Sequence, residues 1–327
     1  MLSVNRRALQ LIEKAIERKE ELRIEVTAGP LGCTIIDAGV RAIGGYEAGK
    51  VVTEICLGGY GSASITWMNY VGLTLPSIFV RTDHPAIATL GSQFAGWAIK
   101  TADYIAMGSG PARALSKKPK EIYEQIEYED RYDSAVIILE ADSLPTEEAV
   151  KVIAEKCGIS PKNLYVVVAP TSSVVGLTQI SGRIVEMGIH KLSKVGLDPK
   201  LIQYGCGYAP IAPIHPKAVN AMGRTNDALY YGGVTFYTVT YESDDQLRSI
   251  VSKSPSCASK SYGKPFHEIF KEAEFDFYKI DPEIFAPAVV SVSNIKTGAT
   301  FRSGEINVEV LRRTLGVITV QSGRDAA

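Results

Sequence analysis

Arg183 and Glu186 stand three positions apart within residues 178–192, a stretch that follows an apolar run at 164–169 and a small-residue link at 170–176. On a helix that spacing puts both side chains on one face. A guanidinium beside a carboxylate in a partly buried place keeps the carboxylate ionised and aimed, which is what a base acting on water requires. Spacing alone equally describes a solvent-exposed ion pair that does no chemistry. Nothing local decides between the two.

Other groups carry residue types that chemistry uses. Gly108-Ser109-Gly110-Pro111-Ala112-Arg113 follows a strand candidate. The backbone N–H groups of such a turn suit an anion where they open a helix, although the pattern is neither a dinucleotide fingerprint nor a Walker loop and reads equally as a tight turn. Gly58-Gly59-Tyr60-Gly61 reads as a turn between helix and strand. Thr82-Asp83-His84-Pro85 ends an apolar strand, where α/β sheets place their ligand crevices. Asp83 reads as a proton-transfer partner of His84 or, more simply, as the cap of a helix that Pro85 begins. Cys206, between two glycines, lacks an identifiable partner and reads as structural. Arg224 lies in a polar stretch and suits a phosphate, a carboxylate or solvent.

A frame has to position these residues. Ile184, Val185, Met187, Ile189 and Leu192 form one broad apolar stripe, so residues 178–192 read as one helix with Ser181 as a plausible N-cap. Apolar runs at 135–140 and 164–169 read as buried strands, alternating with a helix at 145–157. The order strand, turn, strand, glycine, helix recurs near 22–57, 63–91 and 288–314, without a matching sequence repeat. The expected fold class is α/β (α+β mixed sheets), as two α/β domains with a ligand cleft between them. Residues 1–195 are assigned to the domain carrying the central helix, 196–316 to the second and 317–327 to a disordered tail, with chain crossover between the domains allowed. Residues 217–223 read as a short helix and 252–262 as a mobile Ser/Lys-rich loop.

Composition narrows the function. Thirty-five basic and 36 acidic residues give a net charge of −1, which offers no electrostatic case for nucleic acid or an anionic membrane. The five cysteines are scattered without a CxxC, and the four histidines without an HExxH, so neither a disulfide framework nor a metal site is expected. No apolar run long enough to span a membrane and no signal-peptide pattern is present, and the expected compartment is the cytoplasm.

Taken together, several segments resemble the methenyltetrahydromethanopterin cyclohydrolases: Asp37-Ala38-Gly39, Gly44-Gly45-Tyr46-Glu47-Ala48-Gly49, Glu54-Ile55-Cys56-Leu57-Gly58-Gly59, Arg81-Thr82-Asp83-His84-Pro85, Gly108 to Arg113, Ser181-Gly182-Arg183-Ile184-Val185-Glu186, and Gly223-Arg224-Thr225-Asn226-Asp227. The likeness starts at Ser3-Val4-Asn5-Arg6-Arg7-Ala8 and runs to about residue 314. It implies a cytosolic, cofactor-free homotrimer of two-domain subunits with the pterin in the cleft. The implied reaction opens the cyclic methenyl pterin with water to give the 5-formyl pterin. The family's catalytic pair falls on Glu186, as base, and Arg183, as the partner that holds the carboxylate and biases it toward ionisation. Candidate substrate contacts are Thr82, Asp83, Ser109, Gln179, Arg113 and Arg224, the two arginines being assigned to the phosphate-bearing tail. Rival readings are a metal-dependent aminohydrolase, a non-catalytic pterin-binding protein and a nicotinamide-dependent dehydrogenase, the last lacking its glycine fingerprint.

Overall fold

The structure, a computed structural model, describes residues 2–276 and 279–318; the tail assigned to 317–327 lies almost wholly outside them. In chain order the elements are α1 (Val4–Glu17), α2 (Lys19–Leu22), β1 (Glu25–Ala28), β2 (Thr34–Asp37), α3 (Tyr46–Cys56), β3 (Gly61–Tyr70), β4 (Leu73–Thr82), α4 (Pro85–Ala88), β5 (Trp97–Lys100), β6 (Ile105–Ser109), α5 (Ala112–Ser116), α6 (Lys120–Ile126), β7 (Ala135–Glu140), α7 (Glu147–Cys157), β8 (Leu164–Val168), α8 (Val174–Ser181), α9 (Ile184–Lys194), β9 (Ile202–Pro210), α10 (Ala218–Gly232), β10 (Val234–Val239), α11 (Asp244–Ser252), α12 (Phe266–Glu272), β11 (Val289–Asn294), β12 (Thr300–Gly304) and α13 (Val308–Leu315).

The strands form two six-stranded mixed sheets, ordered β1-β2-β8-β7-β6-β5 and β12-β11-β10-β9-β4-β3. This is the α/β architecture expected. In the first sheet the parallel strands β2, β8 and β7 are central. Their apolar runs are continuous because both faces are covered. Ala135, Ile137 and Leu139 pack with Val150 and Ile153 of α7, whereas Val136 and Ile138 face Ile12 of α1 and Ile55 of α3. Each such buried aliphatic contributes about 1.5–3 kcal/mol. Asn5 ties α1 to this sheet: its amide donates to Pro111 O and Asp130 Oδ2, both at 2.8 Å, and its Oδ1 accepts from Val136 N at 3.1 Å.

The second sheet is antiparallel except for the β10–β11 pair. Its β3–β4 hairpin comes from the first 195 residues, so a cut at 195 does not separate the sheets. The chain crosses from the first sheet to the second at β3, returns at β5, and crosses again at β9. The recurring theme is three antiparallel hairpins, β1–β2, β3–β4 and β11–β12, each followed by a helix.

Helices α8 and α9 fill the seam, with α8 against α3 and β9, and α9 against β9 and β10. The single helix expected over 178–192 is two. Arg183 N bonds Ile180 O at 3.0 Å, one residue tighter than an α-helical bond, and the chain kinks at Gly182-Arg183. Ser181 is not an N-cap. It ends α8, and its hydroxyl donates to Pro210 O at 2.8 Å; Ser173 caps α8 by accepting from Gly176 N at 3.0 Å. Among the described residues no helix is long and apolar enough to cross a membrane.

Candidate active site

The kink explains the placement of Arg183 and Glu186. Arg183 occupies the N-cap position of α9 and Glu186 its first turn, where the positive end of the helix favours an anion. Glycine at two points lets α9 lie this deep. A Cβ on Gly182 would sit 2.6 Å from Thr53 Cγ2 of α3, and one on Gly188 would sit 2.0 Å from Tyr237 Oη of β10. Tyr237 Oη in turn donates to Val185 O at 2.8 Å, fixing the first turn of α9 to the second sheet.

Arg183 and Glu186 are 8% and 7% exposed, which removes the reading as a solvated surface pair. The guanidinium is fully engaged. Its Nη1 donates to Gln93 O at 2.6 Å, and its Nη2 to Ser109 Oγ and Gln179 Oε1, each at 2.9 Å, with Cys56 Sγ at 3.8 Å. These partners come from both sides of the seam: Ser109 ends β6, Cys56 ends α3, Gln179 lies on α8, and Gln93 closes a π-type turn at Thr89–Gln93. The Gln93 side chain donates from Nε2 to Gly182 O at 3.1 Å, clamping the kink itself. Because arginine can only donate, Gln179 must turn its oxygen to Arg183, and its Nε2 is left buried without a partner, as is Gln93 Oε1.

The Glu186 carboxylate is not held by Arg183 as expected. Among the described residues no hydrogen bond or direct ion pair joins it to any group. Burial pushes its pKa up to about 7, against the smaller downward pulls of Arg183 and then Arg113. Arg183 does bias the carboxyl toward ionisation, as expected, but desolvation outweighs both nearby cations. An acid poised near neutrality, with unspent oxygens, can take a proton from water and return it.

Arg113 is wholly buried and held by the fold through Nε and Nη1, while its Nη2 is buried without a hydrogen-bond partner among the described residues. Its Nε donates to Lys118 O at 2.7 Å and its Nη1 to Leu90 O and Ser92 O at 3.1 and 3.0 Å, and it lies 5.2 Å from the Phe94 ring centroid. It reaches Glu186 only as a field, and a tail-binding role at a surface is not available to it. The turn from Gly108 to Arg113 is buried and packs on the π-type turn, with Gly110 N bonded to Ser92 O at 2.9 Å; it is a structural turn rather than an open anion cradle. Thr82 Oγ1 donates to Tyr60 O at 2.7 Å and accepts from His84 N at 3.0 Å. Asp83 is exposed and does not cap α4, whose N-cap, His84, makes no side-chain capping bond. Arg224 lines a separate cavity near α12 and α13. The structure therefore gathers Ser109, Gln179, Arg183 and Glu186, with Arg113 behind them. Sequence reasoning missed Gln93 and Cys56. The one signal is the polarity of Ser92-Gln93, which interrupts an apolar stretch; Cys56 sits on the apolar face of its helix and gives none.

Fold and seam define an α/β protein that buries a carboxyl near two arginines where its two mixed sheets meet. The chain belongs to the cyclohydrolase (MCH) family, whose model matches residues 3–315. It is 50% identical to the methenyltetrahydromethanopterin cyclohydrolase of Methanocaldococcus jannaschii over 97% of this chain and 99% of that one. The enzyme of the same name from Methanothermobacter marburgensis is 47% identical over 97% and 100% of the two chains, and that of Methanococcoides burtonii 46% over 98% and 100%. The resemblance carried by the motifs is thereby established, and the chain is a hydrolase acting on a carbon–nitrogen bond.

Proposed function

We propose that the chain hydrolyses the methenyl bridge of 5,10-methenyltetrahydromethanopterin to 5-formyltetrahydromethanopterin, reversibly, with Glu186 as the base on water. The observation that carries this reading is a buried, hydrogen-bond-free carboxylate with a pKa of about 7 at the seam. The methenyl carbon lies between two nitrogens and shares their positive charge, so it is electrophilic without help from a cofactor. Water adds to that carbon as Glu186 takes one of its protons. The adduct's C–O bond becomes C=O while the bond to N10 breaks. The proton held by Glu186 passes to N10, and the second water proton leaves to solvent. One proton is released per turnover.

Arg183 supplies fixed positive charge that draws the carboxylate toward ionisation without neutralising it by contact. Ser109, Gln179 and the Gln93 carbonyl position Arg183. A bulky pterin reaches a 7% exposed carboxylate only if the seam widens, so binding is coupled to movement of one sheet against the other. The working form is proposed to be a cytoplasmic homotrimer. The test follows loss of the methenyl chromophore in water. Wild type turns over, and Glu186→Gln binds substrate with kcat reduced about 10²–10⁴-fold. Wild-type-like kcat in that variant would reject the assignment.

A further inference from the structure

A second cavity, of about 120 Å³, lies among α10, α12, α13 and the loop before α10, and is lined by His215, Asn220, Arg224, Asp227, His267 and Thr314. It shares no residue with the Arg183–Glu186 cluster. Every lining residue is polar, and the volume equals roughly four waters or one tetrahedral oxyanion with its contacts. A stable fold does not leave such a lining without occupants.

Two groups in it are buried with hydrogen-bonding capacity to spare. Asp227 is 1% exposed; its Oδ1 accepts from Phe266 N at 2.8 Å. Thr314 Oγ1 lies beside Asp227, close enough to favour its charge, and is buried without a well-formed hydrogen bond. The cation is fixed. Arg224 Nη1 donates to Ile214 O at 3.2 Å, and a Cβ on Gly316 would sit 2.5 Å from Nη2, so the guanidinium is wedged in place. His215 Nδ1 accepts from Lys217 N at 3.0 Å, which puts its proton on Nε2, 3.3 Å from the Asn220 amide. The Asn220 oxygen therefore belongs at that contact, and its NH₂ is free to face the cavity.

Donors thus converge from Arg224, Asn220 and Thr314, opposite one buried carboxyl. Among the described residues no three His, Cys, Asp or Glu side chains are placed to hold a metal, so His215, His267 and Asp227 are not a cation site. An anion without a proton of its own is repelled by ionised Asp227. A phosphate that carries an acidic proton is not, because it donates that proton to the carboxyl. We propose that this cavity binds inorganic hydrogen phosphate, with Arg224, Asn220 and Thr314 on its oxygens and Asp227 accepting its O–H.

Burial pushes Asp227 up to about 7, against Phe266 N, Thr314 and Arg313, with Glu268 acting the other way; Tyr230 and Tyr231 of its own helix also lie in its field. The test is therefore made near pH 8, where the carboxylate prevails. Isothermal titration of the full chain uses inorganic phosphate, glycerol phosphate, dimethyl phosphate and sulfate at equal ionic strength. Saturable one-per-chain binding of inorganic phosphate, which keeps one proton at pH 8, is expected. Glycerol phosphate, whose second proton is lost at about pH 6, dimethyl phosphate and sulfate have no proton to share and give none. Arg224→Gln weakens binding about tenfold or more, and Asp227→Asn, which donates instead, admits sulfate. Should Asp227→Asn not fold, Thr314→Val carries the same test, with a loss expected. No saturable heat from inorganic phosphate, equal binding of sulfate or glycerol phosphate by wild type, or undiminished binding by Arg224→Gln overturns the site. The readout is binding alone, so its failure leaves the hydrolytic assignment untouched.

Discussion

At the scale of single residues, Glu186 is a carboxylic acid held in a place that costs stability. The folded-state pKa of Glu186 is raised from 4.5 to about 7. The native state therefore favours the protonated form. The cost is absent below about pH 4.5, grows as the pH rises, and is complete above 7, where it is on the order of 3–4 kcal/mol. Glu186→Gln has no charge to bury. It should melt at a higher temperature than wild type at pH 8 and at nearly the same temperature near pH 4, while turnover is lost. In wild type, hydrolytic kcat/KM should rise with pH to a plateau, with its midpoint near 7, and Arg183→Gln should move that midpoint upward. A variant no more stable at pH 8 than at pH 4, relative to wild type, would show that the acid is not desolvated as the fold indicates. Little of this was legible in the residues themselves. Spacing placed Arg183 and Glu186 on one face, and only family resemblance chose chemistry over a surface pair. Gln93 holds Arg183 through its backbone carbonyl, a group every residue has, and only the polarity of the side chain that clamps the kink marks the sequence.

At the scale of elements, the site depends on how closely α9 approaches β10. Gly188 is two residues from Glu186, and the space for its Cβ is taken by Tyr237 Oη. Gly188→Ala must lift α9 or displace the hydroxyl from Val185 O. Overpacking of this kind costs about 1–3 kcal/mol, and a displaced first turn carries Glu186 with it. Lower stability by that amount together with lower kcat is expected, read by thermal melts and by the chromophore assay. Adding Tyr237→Phe removes the clashing oxygen and should restore part of both; a double variant worse than the sum of its parts would place the fault elsewhere. Strands β7 and β8 were readable because burial on both faces leaves an unbroken apolar run. The kink was not, because Gly182 is tolerated inside a helix as well as at its end and the apolar stripe runs on past it. Helix α10 runs to Gly232, whereas the sequence suggested an end near 223. The polar residues Thr225, Asn226 and Asp227 mask its periodicity; Thr225 and Asp227 are buried rather than facing solvent, and Asp227 lines the cavity among α10, α12 and α13.

At the scale of the whole chain, two sheets are interleaved rather than consecutive, and α8–α9 belongs to both. Leu177, Ile180, Ile184, Val185 and Ile189 share a cluster with Ile78, Tyr237 and Val292 of the second sheet, while Val175 of α8 packs with Ile36 and Val167 of the first. The sequence allowed the crossover but marked no boundary, since hairpins with similar patterns serve both sheets. Neither sheet can then lose its fold without exposing the other's core. The chain's two tryptophans test this, because Trp97 lies on β5 of the first sheet and Trp67 on β3 of the second. Trp67→Phe leaves a reporter for the first sheet, 6% exposed, and Trp97→Phe leaves one for the second, 69% exposed. For each single-tryptophan protein the fluorescence transition should coincide with its own far-ultraviolet dichroism transition, as one cooperative unit requires. A first-sheet reporter that melts while half of the helical signal persists would mean the seam is only a contact between independent domains. In that case the motion that admits substrate would be a free hinge. With coincident transitions it is a shear within one packed body, and the same helices that hold Glu186 set how far the seam can open.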